Sequence, residues 1–96
     1  MSAKFLLSCR PPFASNWRKT YHASLTTALE TAWRKHNREW SVDSIVLEQK
    51  VIINREELMQ AFSQMDNLTR ELPKPSLPEI SDRVIRDLNK IDLSQS

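Results

Sequence analysis

Ser41-Val42-Asp43-Ser44-Ile45-Val46-Leu47-Glu48-Gln49-Lys50-Val51-Ile52-Ile53-Asn54 decides how the whole chain is read. A heptad frame begun at Trp33 runs straight through it, with core positions at Trp33, Asn37, Trp40, Ser44, Leu47, Val51, Asn54, Leu58, Ala61, Met65, Leu68 and Leu72. Nine of those twelve are apolar. Steps of four and three held over such a span describe a coiled-coil seam, in which Asn37 or Asn54 trades stability for register. The competing reading breaks the helix at Asn54. Asn54-Arg55-Glu56-Glu57 has the spacing of a capping box, and Ile53 with Leu58 fits a hydrophobic staple. Ile45 to Ile53, rich in β-branched residues, is then a strand or a short hairpin, although its only turn material is Glu48-Gln49-Lys50. Asn54 cannot serve both arrangements, and the length of the heptad frame favours the helix.

Composition points the same way. The 96 residues include no glycine, the residue most often required by hairpin turns, bulges, phosphate loops and close ligand approach. Helices tolerate that lack better than sheets, because they can end at Pro, Ser or Asn. A chain of this length makes one small domain with a thin core, which excludes a large enzyme.

Working outward toward the N-terminus, Tyr21, Leu25, Ala28, Leu29, Ala32 and Trp33 fall at the steps of one helical face, predicting a helix from 16 to 40 capped by Ser15 or Asn16. Before it, Pro11-Pro12 resists helix and favours an extended arm with Phe5, Leu6, Leu7 and Phe13 as apolar hooks. Toward the C-terminus, Pro73, Pro75 and Pro78 end whatever precedes them. Beyond them Ser81 can cap a segment with Ile80, Val84, Ile85, Leu88 and Ile91 as its apolar face. The expected fold is all-α: two long helices, or one helix plus a coiled-coil segment. Its parts are an extended arm over 1–14, a helical interaction module over 15–72, a Pro-rich linker over 73–79 and a short amphipathic helix over 80–93.

The net charge of +2 hides an asymmetry: residues 1–40 carry seven Lys/Arg against two acids, and residues 41–96 seven against ten. Arg18, Lys19, Arg34, Lys35 and Arg38 are the candidate nucleic-acid-binding set, although a solvated helix face explains them equally. The segment from Met1 to Leu29 has no acid and interleaves its cations with Ser, Thr and Leu, as a mitochondrial presequence does. No run of 18 or more apolar residues exists to span a membrane.

Chemistry is sparse. Cys9 is the sole cysteine, and with His22 and His36 it makes no credible zinc set. Glu56-Glu57 diverge around a helix as cap and outer face, and Asp82, Asp87 and Asp92 are mis-spaced for one face and lack a calcium-loop glycine. His36, beside Trp33 and Trp40, reads as a structural histidine. No catalytic residue, metal site or cofactor is expected, and the activity expected is binding and not turnover. The tryptophans are the better clue, because three indoles on so small a chain exceed what one helix can cover. Trp17, Tyr21, Leu25, Leu29, Trp33, Trp40, Leu47, Val51 and Leu58 are accordingly the candidate partner-binding residues. The mechanism would be helix-in-groove or coiled-coil association.

Trp40, followed by Leu47-Glu48, Val51, Arg55 and Leu58, resembles the N-terminal region of the Mei-four-type family, meiosis-specific accessory proteins of the complex that promotes programmed DNA double-strand breaks. The matching window covers 19 of the 96 residues. The resemblance implies a nuclear, chromosome-associated, largely helical protein whose N-terminal part engages the helical C-terminal dimer of a Rec-type partner, in an assembly that binds DNA. It puts Trp40, Leu47, Val51 and Leu58 on an apolar seam flanked by Glu48 and Arg55. The alternatives are a small basic helical nucleic-acid-binding protein and an imported mitochondrial assembly factor.

Overall fold

The computed structural model describes residues 4–74 and 76–88, and its centre is a sheet. The order along the chain is β1 (Phe5–Arg10), β2 (Arg18–His22), α1 (Leu25–Asn37), β3 (Ser41–Leu47), β4 (Lys50–Ile53), α2 (Arg55–Glu71) and α3 (Leu77–Asp87). The four strands form one antiparallel sheet in the order β2-β1-β3-β4. An all-α fold with a coiled coil is therefore overturned: the architecture is α/β.

The correction turns on the segment around Glu48. Leu47 pairs with Lys50, leaving Glu48 and Gln49 as a two-residue hairpin turn with φ of 51° and 69°. Both residues are left-handed, as a type I′ turn demands, and neither is the usual Asn or Gly. The heptad through Leu47 and Val51 is thus a coincidence of spacing, since Leu47 faces the core whereas Val51 lies on the opposite side of the sheet. The window that carries the Mei-four-type resemblance is divided among β3, β4 and the start of α2, so no continuous seam exists along it.

The first long helix is also shortened. Residues 18–22 form β2, paired through Leu7↔Thr20 and Phe5↔His22, and α1 starts only after Ser24, whose hydroxyl accepts from the Thr27 backbone N–H at 3.1 Å. The expected arm is equally part of the fold. Phe5, Leu7 and Cys9 of β1 alternate into the core, and Pro11-Pro12 belongs to the β1–β2 connection, closed by an Ala14 N–H donating to the Pro11 carbonyl at 3.2 Å. The capping box at Asn54 forms in full: its side chain accepts from Glu57 N at 2.8 Å, and Asn54 N donates to Glu57 Oε1 at 3.2 Å.

One face of the sheet is covered. Phe5, Leu7, Ile45, Leu47 and Ile53 meet Leu25, Ala28, Leu29 and Ala32 of α1 and Leu58, Ala61, Phe62 and Met65 of α2, and α3 packs on both helices through Ile80, Val84 and Ile85. Trp33 Nε1 donates to Asp66 Oδ1 at 3.3 Å, tying α1 to α2, and Thr26 Oγ1 donates to Asp82 Oδ1 at 2.9 Å, tying α1 to α3. The last helix begins at Ser76 and Leu77 with Pro78 in its first turn, so Ser81 is not its cap but a residue buried within it. The Pro-rich segment is correspondingly shorter than expected, and residues 89–93 of the expected C-terminal helix lie outside the described residues.

Candidate functional site

Strand alternation fixes what the uncovered face displays. Leu6, Ser8 and Arg10 of β1 point away from the helices, and the register places Tyr21 and Lys19 of β2 beside Leu6 and Ser8. Leu6 also pairs with Val46, and Val46 with Val51. The outer face therefore carries an apolar row across all four strands, Tyr21–Leu6–Val46–Val51. Its ends are open, with Tyr21 66% and Val51 59% exposed.

Beside that row the surface becomes polar and aromatic. Ser8, Trp17, Lys19 and Asp43 line an open hollow of about 450 Å³, and the Arg10 guanidinium lies 5.3 Å from the centre of the Trp17 ring. Trp17 is 45% exposed, and Phe13, in the same β1–β2 connection, is fully exposed. Guanidinium over indole is a favourable cation–π arrangement, worth about 0.5–1 kcal/mol at exposed sites. It also holds both groups presented to solvent.

The same end of the sheet carries a second cation–aromatic cluster on the helical side. Trp40, half-buried against the core, has Lys35 Nζ 4.0 Å above its ring and Arg18 Cζ at 5.9 Å. The sequence-derived cations are thus divided. Arg18 and Lys35 converge on Trp40, Lys19 lies on the opposite face, and Arg34 and Arg38 stand exposed at the α1 C-terminus, where positive charge complements the helix dipole.

Below Trp40 opens a cavity of about 340 Å³ between α1, β3 and α2, lined by His36, Glu39, Ser41, Arg55, Met59 and Phe62 along with Trp40 and Val42. His36 stacks on Phe62 with ring centroids 4.5 Å apart and an interplanar angle of 19°. Its structural role is this stacking. Glu39 enters through the end of α1: Glu39 N–H donates to the His36 carbonyl at 3.1 Å and Trp40 N–H to the Lys35 carbonyl at 3.0 Å, the paired bonds of a Schellman motif. Its φ of 67° is the left-handed position that glycine normally fills.

The candidate partner-binding residues separate by burial. Leu25, Leu29, Leu47 and Leu58 are in this chain's own core, and Trp33 and Trp40 pack against it, while Trp17, Tyr21 and Val51 remain at the surface. Leu6, expected only as an apolar hook of the arm, and Ser8, Arg10 and Val46 join this surface without belonging to that set. Once Phe5 and Leu7 are known to face inward, the period of two assigns Leu6, Ser8 and Arg10 to the exposed side.

Titratable groups elsewhere have structural explanations. Burial pushes the Cys9 thiol up to about 11, against a smaller opposing influence of Lys35, so Cys9 is an inert core thiol. Desolvation lowers the His22 pKa, and its Nε2 lies 2.9 Å from Thr20 Oγ1. Among the described residues no group of three His, Cys, Asp or Glu could hold a metal ion, and no helix is long and apolar enough to cross a membrane. Comparison of the chain with family models, curated proteins and solved structures gives no match.

Proposed function

We propose that this protein binds single-stranded nucleic acid across the uncovered face of its sheet. The observation that carries the proposal is the β1–β2 register, which puts Lys19 and Tyr21 on the same sheet face as Arg10, with Trp17 held beside Arg10, and this face is covered by none of the described helices. Unstacked bases have apolar π faces that aromatic side chains cover, while phosphates need cations spaced along the track. Tyr21 and Trp17 supply the stacking surfaces. Arg10 and Lys19 supply the phosphate contacts, and Arg18, Lys35 and Arg38 add positive field at the same end. Each stacked base is worth about 1–3 kcal/mol, so two such platforms suffice for a moderate, sequence-tolerant affinity.

The test is fluorescence anisotropy of a labelled single-stranded dodecamer at low salt, repeated as salt is raised. Two or three phosphate contacts give a log–log slope of about −1.4 to −2.1. Tyr21→Ala should weaken binding about tenfold or more, by the loss of one stacking platform. Undetectable binding at 50 mM salt rejects the proposal.

A second reading is supported by the apolar row Tyr21–Leu6–Val46–Val51, which offers a flat hydrophobic strip to a protein segment. A photo-crosslinker placed at Val51 should then capture one defined protein, and Tyr21→Glu should abolish that capture. Retained oligonucleotide binding with no crosslinked product would exclude this reading.

A further inference from the structure

We infer that the cavity beneath Trp40 is a nucleotide subsite selective for guanine. The inference rests on the nucleic-acid reading above and extends it to a base-reading pocket at the end of the strand's path. Ser41, which lines the cavity, is the β3 partner of Arg10, whose guanidinium lies over Trp17 on the open face. The two sites therefore adjoin at one end of the sheet, close enough for a strand to turn over the start of β3 and seat its terminal nucleotide.

The lining suits a heterocycle that carries a phosphate. Val42, Met59 and Phe62 supply apolar lining, Trp40 an aromatic surface, and Arg55 a cation. At about 340 Å³ the cavity is at the lower end of the range of small-molecule sites, about 300–1,000 Å³. Half-exposed Met59 at the rim is a flexible, polarizable neighbour for a ring.

Selectivity comes from Glu39. An ionised carboxylate only accepts hydrogen bonds, so it favours a base edge with adjacent donors and disfavours edges presenting carbonyl oxygen or ring nitrogen lone pairs. Among the four common bases guanine alone has two neighbouring donors on its Watson–Crick edge, N1–H and the exocyclic amine. The Ser41 hydroxyl can donate or accept alongside.

The experiment is a titration of the full chain with guanosine, adenosine, cytidine and uridine 5′-monophosphates, followed by indole N–H and methionine methyl resonances. Guanosine monophosphate should shift the Trp40 indole and the Met59 methyl while leaving the Trp17 indole in place. It should bind at least tenfold more tightly than the other three. Glu39→Gln should erase the preference, and Arg55→Gln should weaken guanosine monophosphate at least fivefold while leaving guanosine unchanged. A dodecamer ending in guanosine should shift Trp40, Met59 and Trp17 together, which distinguishes a strand terminus from a free nucleotide as the ligand.

Absence of Trp40 and Met59 shifts at millimolar nucleotide overturns the subsite, as do equal affinities for the four nucleotides. Either result leaves oligonucleotide binding on the open face intact. Conversely, nucleotide binding at Trp40 without any dodecamer binding overturns the open-face proposal and keeps the pocket. Should Glu39→Gln be unfolded, Arg55→Gln and the four-nucleotide comparison decide alone.

Discussion

Lys35 holds Trp40 twice: its carbonyl accepts the Trp40 backbone N–H at 3.0 Å, and its ammonium stands 4.0 Å above the Trp40 ring. The end of α1 is thereby locked to the start of β3, and the aromatic wall of the cavity is set by the same contact. Lys35→Met keeps the aliphatic stem and removes the charge, so it should cost about 0.5–1 kcal/mol of stability. Urea denaturation measures that cost, and an unchanged midpoint would show that the cation–π contact contributes nothing.

The left-handed residues give a prediction of opposite sign. Glu39, Glu48 and Gln49 each have positive φ in a chain without glycine. A left-handed non-glycine residue costs roughly 1–2 kcal/mol, partly offset when glycine's greater unfolded-state freedom is counted. Replacing Glu48-Gln49 by Asn-Gly should therefore raise stability by about 1–2 kcal/mol. Glu39→Gly should add about 1 kcal/mol while destroying guanine selectivity. Thermal unfolding with the nucleotide titration separates the two effects.

Burial distinguishes core from binding surface among the residues that the sequence grouped together. Leu29 is fully buried, so Leu29→Ala should cost about 2–5 kcal/mol, a large part of the stability of a domain this size. Tyr21→Ala, on the open face, should change stability by less than about 1 kcal/mol while weakening the dodecamer. Equal losses of stability at the two sites would contradict the assignment of the faces.

Stability should fall on acidification through His22. Desolvation places its folded pKa below the ordinary 6.5, so between the two values the unfolded chain binds more protons than the folded one. The contribution is present above pH 6.5 and is lost as pH falls through the folded value. His22→Gln should flatten that slope in denaturation midpoints taken from pH 7.5 downward. Glu30 acts in the other direction and lower: burial chiefly, and Asp82, raise its pKa from 4.5 despite Arg34, so its contribution is complete below 4.5 and lost as pH rises through its folded value.

What the sequence made legible were features set by neighbours in the chain. The buried face Leu25, Ala28, Leu29 and Ala32, the Asn54–Glu57 capping box and the break at Pro73 all depend on contacts within one or two turns. Of the sheet, only the hairpin within Ile45 to Ile53 was legible, as the competing reading, because the other signals are either missing or mimicked. Glu48-Gln49 adopts a turn that its side chains do not announce, and the step from Tyr21 to Leu25 imitates a helical face across a strand end and a cap. In β1, apolar Leu6 blurs the alternation of Phe5, Leu7 and Cys9, because it contributes to the outer row. The candidate site was legible only in part for the same reason. Trp17, Lys19 and Tyr21 stand out as residue types, but their union with Arg10 on one face exists only once β1 and β2 pair.

Among the described residues β2 and β4 are the edge strands, and β4 is the more hazardous, since it carries the β-branched run Val51-Ile52-Ile53. Lys50 opens that strand, exposed, and like charge on approaching molecules would oppose pairing of the edges. In this glycine-free hairpin Lys50 is therefore the expected gatekeeper against fibril growth: agitated Lys50→Val should seed thioflavin-positive aggregates where the parent protein stays clear.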